Sequence, residues 1–362
     1  MLDKIYKKIS KNYLSCSYIE NGIHFDKDSI HFCCIIHSGN KGNVNICDFS
    51  GGNLPVRAIK NKRIKIIRDN QIMNRDTPCQ GCPLLVEKKW ANNHTDFSNI
   101  SIAHYLMCNL KCKYCYMAKK SQEWIIKNLE QPYDVSLVIE NMLEKGLVSK
   151  NAHILFAGGE PTLYTEFENI LKLALENEIF ITLLSNCTKF KESVRYSLAR
   201  KKMLLICSVD AGTKQTYHSV KGRDRFDTVW NNLERYAAES KELVQVKYIF
   251  LDENCSKFEV KSFIKECIKR GIINISISCD FTKNGENFKN EDGNYFPENV
   301  SVGMAYMVYL AKQNHLRYDF SPISFNKESI EEIERSYDRL FGGVIKSEFV
   351  NEWQQAVDYH DF

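Results

Sequence analysis

The segment MCNLKCKYCY, residues 107–116, decides the fold and the chemistry that we predict for this chain of 362 residues. Directly after a β-type apolar run, it supplies three cysteines, Cys108, Cys112 and Cys115. Thiolates so close in sequence can hold one iron–sulfur cluster, and three of them leave one iron of a cubane without a protein ligand. Two alternatives stay open: three unrelated cysteines, or a zinc site that takes its fourth ligand from His104 or from further away.

Two later motifs lie at the ends of predicted strands. Residues 158–161, Gly-Gly-Glu-Pro, follow a strand-like run at 153–157, and residues 208–212, Ser-Val-Asp-Ala-Gly, follow another. Together with the Cys-x3-Cys-x2-Cys spacing and the aromatic Tyr114 before the last cysteine, these motifs resemble the radical S-adenosylmethionine (SAM) enzymes. The resemblance extends over roughly residues 100–281, in order and at ordinary spacing.

The resemblance implies a [4Fe–4S] cluster that is bound by the three cysteines and whose fourth iron is chelated by SAM. It also implies that one electron, delivered by a donor such as flavodoxin or ferredoxin, splits SAM and yields a radical that takes a hydrogen atom from the substrate. The residues that the resemblance assigns to SAM are Tyr114 behind the adenine, Gly158, Gly159 and Glu160 at the methionine ammonium, Asn186 and Ser208 at the ribose, and Arg223, otherwise in a surface ion pair, at the carboxylate.

Composition argues against several classes of function. The net charge of +4 is too small to indicate binding of nucleic acid. No apolar run is long enough to span a bilayer, and the first residues lack the apolar core of a signal peptide. Fourteen cysteines in such a chain therefore predict a reducing cytoplasm and metal chemistry, not a disulfide framework.

A second group of cysteines precedes the trio. A turn rich in Gly and Asn predicts a β-hairpin that brings Cys33 or Cys34 close to Cys47, and Cys79 and Cys82 add a Cys-x2-Cys pair. Since neighbours on a strand point to opposite faces, only one of the first two should bind a metal, and we favour Cys34. The four ligands resemble the SPASM or twitch auxiliary-cluster modules of many radical SAM enzymes, although those usually follow the barrel. A structural zinc site would use the same thiolates.

The segment VRAIKNKRIKIIR, residues 56–68, lies between the two halves of this cysteine group and carries six positive charges. Alternation of Ile64 and Ile66 with Arg63 and Lys65 predicts a half-buried strand with a charged outer face. The alternative is a surface for an acidic or phosphorylated substrate.

From residue 99 onward, strand-like and helix-like patterns alternate. Six β-then-α units predict a parallel sheet, and the resemblance makes it a partial (β/α)6 TIM-like barrel with its active site at the C-terminal strand ends. We therefore predict an α/β protein with a cysteine-rich, β-containing domain at 1–98, a radical SAM core at 99–285 and a C-terminal loop and helical extension at 286–362. Cysteines outside the two groups, Cys16, Cys207 and Cys279 among them, are predicted core thiols.

Two polar residues on predicted strands, Lys247 and Asp280, are candidates for proton exchange with the substrate, and a salt bridge between them is the alternative. We predict a peptide or protein side chain, or another small polar metabolite, as the substrate, because auxiliary modules are common among peptide-modifying relatives. One alternative is the same radical chemistry on a sugar or nucleotide-sugar. Another is a zinc- or iron–sulfur-stabilised binding protein without turnover.

Overall fold

The computed structural model describes residues 12–33, 44–72, 76–82, 84–90, 96–120, 123, 133–280, 294–321, 325 and 327–343. The predicted ligand Cys34 and the predicted turn of the hairpin lie outside these residues. The chain divides into two compact units: unit 1 is Met1–Met107 with Ile126–Thr182, and unit 2 is Cys108–Ile125 with Leu183–Phe362. The predicted domain boundaries at 98/99 and 285/286 stay predictions. No described helix is long and apolar enough to cross a membrane.

The strands of unit 1 include an antiparallel ribbon and a mixed sheet. They are β1 (Tyr13–Ser15), β2 (Gly22–Phe25), β3 (Ser29–His31), β4 (Asn45–Asp48), β5 (Val86–Lys88), β6 (Phe97–Ile102) and β7 (Val148–Phe156). β1 and β5 form the ribbon. In the mixed sheet, β6 pairs in parallel with β2 and β7, while β3 pairs antiparallel with β2 and β4. β4 confirms the second strand of the predicted hairpin, whereas its partner β3 ends at His31, before the residues predicted for the first strand.

The helices of unit 1 include one that the sequence pattern did not predict. They are α1 (Ser17–Asn21), α2 (Val56–Asn70), α3 (Val135–Glu144) and α4 (Phe167–Glu176). The strand predicted for residues 56–68 is therefore wrong, because this segment forms α2. The buried residues of α2 are Ile59, Arg63, Ile66 and Ile67, and spacings of three and four place them on one helical face.

Unit 2 continues the alternation of strands and helices. The chain passes from unit 1 to unit 2 inside β8 (Phe180–Leu184). The later strands, β9 (Met203–Ser208), β10 (Val244–Phe250), β11 (Asn274–Cys279) and β12 (Arg317–Phe320), pair in parallel in that order. The helices are α5 (Glu192–Ala199), α6 (Lys214–Lys221), α7 (Phe226–Ala237), α8 (Lys257–Lys269), α9 (Glu298–Gln313) and α10 (Lys327–Phe341). This order confirms the α/β class with parallel strands, as in a partial (β/α)6 barrel.

The first strand that lies wholly in unit 2, β9, has one fully buried face. In β9, buried residues alternate with partly buried ones, because successive side chains on a strand point to opposite sides. Cys207 and Cys279 are fully buried, which confirms the prediction that both are core thiols.

Candidate active site

The cysteine loop, residues 108–115, opens unit 2. Cys108 is exposed, whereas Cys112 and Cys115 are half-buried. The backbone N–H of Cys115 donates to the carbonyl of Cys112 at 3.0 Å, so one tight turn carries the last two thiols. A short 3-10 helix, Tyr116–Lys119, follows this turn.

The cysteine loop docks on the C-terminal turn of α6. The backbone N–H groups of Lys111 and Lys113 donate to the carbonyls of Lys221 and Val220 at 3.0 and 2.9 Å. Gly222 ends α6 with a φ of +67°, and a Cβ there would lie 2.8 Å from the carbonyl oxygen of Lys111. A larger residue would both strain the backbone and push the loop away. The thiols therefore sit on a segment with a fixed backbone support.

Side-chain hydrogen bonds also hold the cysteine loop against α6. The Tyr114 hydroxyl donates to Asp210 Oδ2 at 2.6 Å and accepts from Lys221 Nζ at 2.6 Å. Lys221 also forms an ion pair with the same carboxylate, and both charged groups are buried. The other oxygen, Oδ1, accepts from the backbone N–H of Ile249 in β10 at 2.7 Å. The cysteine loop is thereby tied through Tyr114 to the parallel sheet of unit 2.

This network places a cation beside one of the thiols. Burial, Asp210 and Cys115 raise the pKa of the Cys112 thiol above its ordinary value, and the Lys221 ammonium and a hydrogen bond with Tyr114 only partly offset this increase. Burial also lowers the pKa of Lys221, but Asp210 and Cys112 outweigh that effect and raise it above its ordinary value. Lys221 therefore stays charged and lowers the free-energy cost of forming the Cys112 thiolate, the form in which cysteine binds metals.

Asn186, which the resemblance assigned to the ribose, also contacts the cysteine loop. Its amide Nδ2 donates to Asn109 Oδ1 at 2.8 Å and lies 3.8 Å from Cys108 Sγ. Its Oδ1 accepts from the backbone N–H of Thr188 at 2.9 Å. The structure therefore brings Asn186 together with the first cysteine of the trio.

Two more of the predicted SAM residues lie in unit 2. Ser208 ends β9 and is opposite Lys247 in the β9–β10 pairing. Arg223 is exposed and comes directly after Gly222, so it adjoins the turn on which the cysteine loop docks.

The two predicted catalytic residues are on neighbouring strands at different heights. Lys247 Nζ donates to Ser321 Oγ at 3.3 Å, and burial lowers the pKa of this ammonium. Lys247 pairs in register with Ser276, whereas the buried Asp280 follows β11 four residues further on. At about 3.3 Å per residue, this offset is about 13 Å along the strand. The register therefore does not place the two side chains opposite each other, which disfavours the alternative of a salt bridge.

In unit 1, the Gly-Gly-Glu-Pro segment packs against backbone. Gly158 has a φ of +87°, and a Cβ on Gly159 would lie 2.2 Å from the carbonyl oxygen of Met107. The backbone N–H of Glu160 donates to the same oxygen at 2.7 Å. Only glycine fits at position 159, because the atoms that it meets belong to the main chain.

The Glu160 side chain is used differently from its predicted role as an acceptor for the methionine ammonium. It is buried, and its Oε1 accepts from the backbone N–H of Thr162 at 3.2 Å and from the Thr162 hydroxyl at 2.6 Å. The carboxylate thus caps the 3-10 helix Pro161–Leu163. Because Oε1 already accepts two hydrogen bonds from Thr162, the carboxylate has less capacity to accept one from a ligand.

His104, which we considered as a zinc ligand, has a different partner. Its Nε2 lies 2.6 Å from Glu166 Oε1, and both side chains are buried. No short pattern indicates this pair, because the two residues are 62 positions apart and neither belongs to a short motif. The pair fixes the chain after β6 to the start of α4.

Among the described residues, no three Cys, His, Asp or Glu side chains are close enough together to hold a metal ion, and this includes the trio. The chemistry of the donor set nevertheless fits a cluster. Three thiols lie within eight residues of one docked loop, a buried cation lies close to one of them, and a glycine segment follows β7. Three thiolates are a partial ligand set of the kind that iron–sulfur clusters accept.

The comparisons with known proteins agree with this reading of the donor set. Residues 102–260 match the profile of the Radical SAM superfamily. The chain therefore contains a Radical SAM domain, a domain of enzymes for which a [4Fe–4S] cluster and SAM are the implied cofactors.

Known relatives match only parts of the chain. The cysteine-type anaerobic sulfatase-maturating enzyme of Clostridium perfringens is 33% identical over 126 residues, 32% of this chain and 33% of that protein. A putative glycyl-radical enzyme activating enzyme of Methanocaldococcus jannaschii is 33% identical over 79 residues, 22% of this chain and 28% of that protein. The chain thus spans about a third of the length of these curated relatives. Streptococcus suis SuiB bound to SAM aligns with a TM-score of 0.49 and 15% identity, covering 80% of this chain and 61% of that one.

Proposed function

We propose that this protein cleaves SAM reductively and abstracts a hydrogen atom from a peptide or protein side chain. The observation that carries the proposal is the cysteine loop, three thiols docked on α6 above a buried ion pair, inside the segment that matches the superfamily. The chemistry supplied by the bound cofactors is one-electron cleavage of SAM, which provides the radical that attacks the substrate.

In this proposal, Cys108, Cys112 and Cys115 hold the cluster through their thiolates. Lys221 keeps a positive charge beside Cys112, which favours thiolate formation and offsets negative charge at the ligand. Tyr114 fixes the loop through its hydroxyl group, so its peptide groups would be held in place to contact the adenine of bound SAM.

The remaining chain groups bind and orient SAM. The close backbone approach at Gly158 and Gly159 leaves main-chain groups for the methionine moiety, with Glu160 holding the segment through its cap of Thr162. In unit 2, Asn186 and Ser208 are proposed for the ribose, and Arg223 for the carboxylate. A guanidinium can bind a carboxylate through two parallel hydrogen bonds.

A peptide or protein substrate is supported by the curated relative from C. perfringens, which is named for maturing a sulfatase, itself a protein. Lys247 and Asp280 are proposed to exchange a proton with the substrate. Burial lowers the pKa of Lys247, which makes a lysine more effective as a general base near neutral pH. The electron is proposed to come from a small donor protein such as flavodoxin or ferredoxin.

The test is anaerobic reconstitution with iron and sulfide, followed by incubation with SAM and dithionite. We expect 5′-deoxyadenosine in the wild-type protein and none above background in Cys112→Ala. Cys255→Ala, which removes a buried thiol outside the cysteine loop, serves as the matched control and should retain the activity. If the wild-type protein binds iron but forms no 5′-deoxyadenosine, the proposed reaction is wrong.

The class of substrate needs a separate measurement. Deuterated peptides that contain cysteine or serine would be tested for stimulation of 5′-deoxyadenosine formation. Deuterated nucleotide-sugars, the alternative substrates, would be tested in the same way. Deuterium carried from a labelled peptide into 5′-deoxyadenosine would support the proposal. Transfer from a labelled nucleotide-sugar alone would contradict it.

A further inference from the structure

The cysteines near the N-terminus are grouped differently from the set that the sequence pattern predicted. Cys47 lies on β4 opposite Ile30, and the charged neighbour that raises its pKa, besides burial, is Asp48. No contact with another thiol is recorded for it within the described residues. Cys34 lies outside those residues, so its predicted role stays a prediction.

The fold of unit 1 instead brings Cys16 close to the Cys-x2-Cys pair. The β1–β5 register pairs Ser15 with Val86, so Cys16, the next residue, reaches the chain segment that directly precedes β5. That segment carries Cys82, whose carbonyl oxygen accepts from the backbone N–H of Leu85 at 3.2 Å. The N–H of Cys82 donates to the carbonyl of Cys79 at 3.0 Å, so both thiols of the pair stand on one turn.

Cys33 reaches the same region through α1. This helix of five residues begins after Cys16, its N-cap, and ends at Gly22. A Cβ on Gly22 would lie 2.7 Å from the carbonyl oxygen of Phe32, the residue before Cys33. At about 1.5 Å per residue, α1 is about 8 Å long. Cys16 and Cys33 therefore flank a very short helix.

The four thiols lie within electrostatic range of one another. Cys16 interacts with Cys33, Cys79 and Cys82, and Cys33 interacts with Cys79 and Cys82.

We propose that Cys16, Cys33, Cys79 and Cys82 form a second, fully ligated thiolate metal site. Four sulfur ligands complete the coordination either of a [4Fe–4S] cluster or of tetrahedral zinc. No coordination position is left for SAM or a substrate, so the site stabilises unit 1 or passes electrons. Without metal, the four thiols are not at coordination distance. Binding therefore requires their side chains to rotate toward one another.

The experiment uses the full chain with Cys108, Cys112 and Cys115 all replaced by alanine, so that any remaining metal belongs to the second site. After anaerobic loading with iron and sulfide, or separately with zinc, metal and sulfide are counted, and X-ray absorption at the metal edge counts the sulfur ligands. We expect about four irons and four sulfides, or about one zinc, with four protein sulfurs per zinc at about 2.3 Å. Loading with iron, sulfide and zinc together then shows whether the four thiolates bind a [4Fe–4S] cluster or zinc.

Single substitutions then identify the ligands. Cys16→Ser and Cys33→Ser, in the same background, should lower metal retention at least tenfold or replace one sulfur neighbour by oxygen. Cys47→Ser, the matched control, should leave both the stoichiometry and the sulfur count unchanged. Absence of bound metal in the background protein, with its circular dichroism intact, would overturn the proposal. So would loss of metal in Cys47→Ser with retention in Cys16→Ser. Since this site shares no residue with the trio, its failure leaves the proposed reaction standing.

Discussion

The ammonium of Lys221 and the carboxylate of Asp210 form an ion pair in unit 2 with only 2% and 0% of their side-chain surface exposed. The pair lies directly beneath the cysteine loop, because Lys221 accepts from Lys111 through its carbonyl and donates to Tyr114 through its side chain. Burial of two opposite charges is favourable only when both are paired and hydrogen-bonded. The position of the thiols therefore depends on this pair being complete.

Removing one partner should destabilise the protein strongly. We expect Lys221→Met to reduce the free energy of unfolding by about 3–5 kcal/mol, because it leaves the Asp210 carboxylate buried without its cation. Urea denaturation under anaerobic conditions measures this loss. The double variant Lys221→Met with Asp210→Asn should recover part of it, since no uncompensated charge remains.

A control for this prediction lies on the same helix. Lys214 and Asp227 form an ion pair whose side chains are 60% and 58% exposed, and exposed pairs contribute about 0–1 kcal/mol. Lys214→Met should therefore change the free energy of unfolding by less than about 1 kcal/mol. Equal losses in the two single variants would contradict the role given to burial.

The Gly159 substitution tests the packing of the Gly-Gly-Glu-Pro segment. A Cβ on Gly159 would lie 2.2 Å from the carbonyl oxygen of Met107 and 2.7 Å from the carbonyl carbon of Leu106. Neither backbone atom can move without shifting the chain after β6. We expect Gly159→Ala to lower the free energy of unfolding by about 1–3 kcal/mol. It should also weaken SAM binding, which equilibrium dialysis with the reconstituted protein measures.

Gly146→Ala is the matched control for the Gly159 substitution. Gly146 has a φ of +62° and nothing within 4 Å of its Cβ position, so alanine there meets only the backbone strain of about 1–2 kcal/mol. SAM binding should be unchanged. A loss of SAM binding in Gly146→Ala, as large as in Gly159→Ala, would show that destabilisation alone explains the effect.

The sequence predicted the parts of the site that are local. The two glycines follow β7 closely and the trio begins six residues after β6. β9, β10 and β11 confirm the predicted alternation of strands and helices, whereas β12 lies in the segment predicted as a loop and helical extension. It did not predict the ion pair of Asp210 with Lys221, or the grouping of Cys16 with Cys79 and Cys82. These contacts depend on register and loop docking between distant segments, which no short pattern encodes.

The strand predicted for residues 56–68 shows a second limit. Over four residues, alternating Ile and basic residues fit a strand, but the full segment buries Ile59, Arg63, Ile66 and Ile67 on one face of α2. The decisive residue is Arg63, a charged side chain that we assigned to the solvated face. Its exposed fraction is 1%, and only tertiary contacts could show that it is a core residue.

Arg63 should accordingly be important for stability. Its Nε donates to the carbonyl of Ile19 at 2.7 Å, and its guanidinium lies 5.3 and 5.6 Å from the ring centroids of Phe32 and Phe97. We expect Arg63→Met to lower the free energy of unfolding by about 2–4 kcal/mol, through loss of the hydrogen bond and the cation–π contacts. Arg57→Met, at an exposed position of the same helix, should change it by less than about 0.5 kcal/mol. Chemical denaturation measures both.

Stability should also fall as the pH drops below neutral, because of the buried His24. Burial lowers the pKa of His24 to about 4, Asp26 raises it, and His31 lowers it further. The unfolded chain takes up this proton near its ordinary pKa of about 6.5, before the folded protein does. The contribution of His24 is therefore fully present above pH 6.5 and is lost as the pH falls toward 4. At about 1.4 kcal/mol per pH unit, the loss between pH 6.5 and 5 is about 2 kcal/mol. Urea denaturation at a series of pH values should show this slope in the wild-type protein and a flatter one in His24→Gln, whereas equal slopes would assign the pH dependence to other groups.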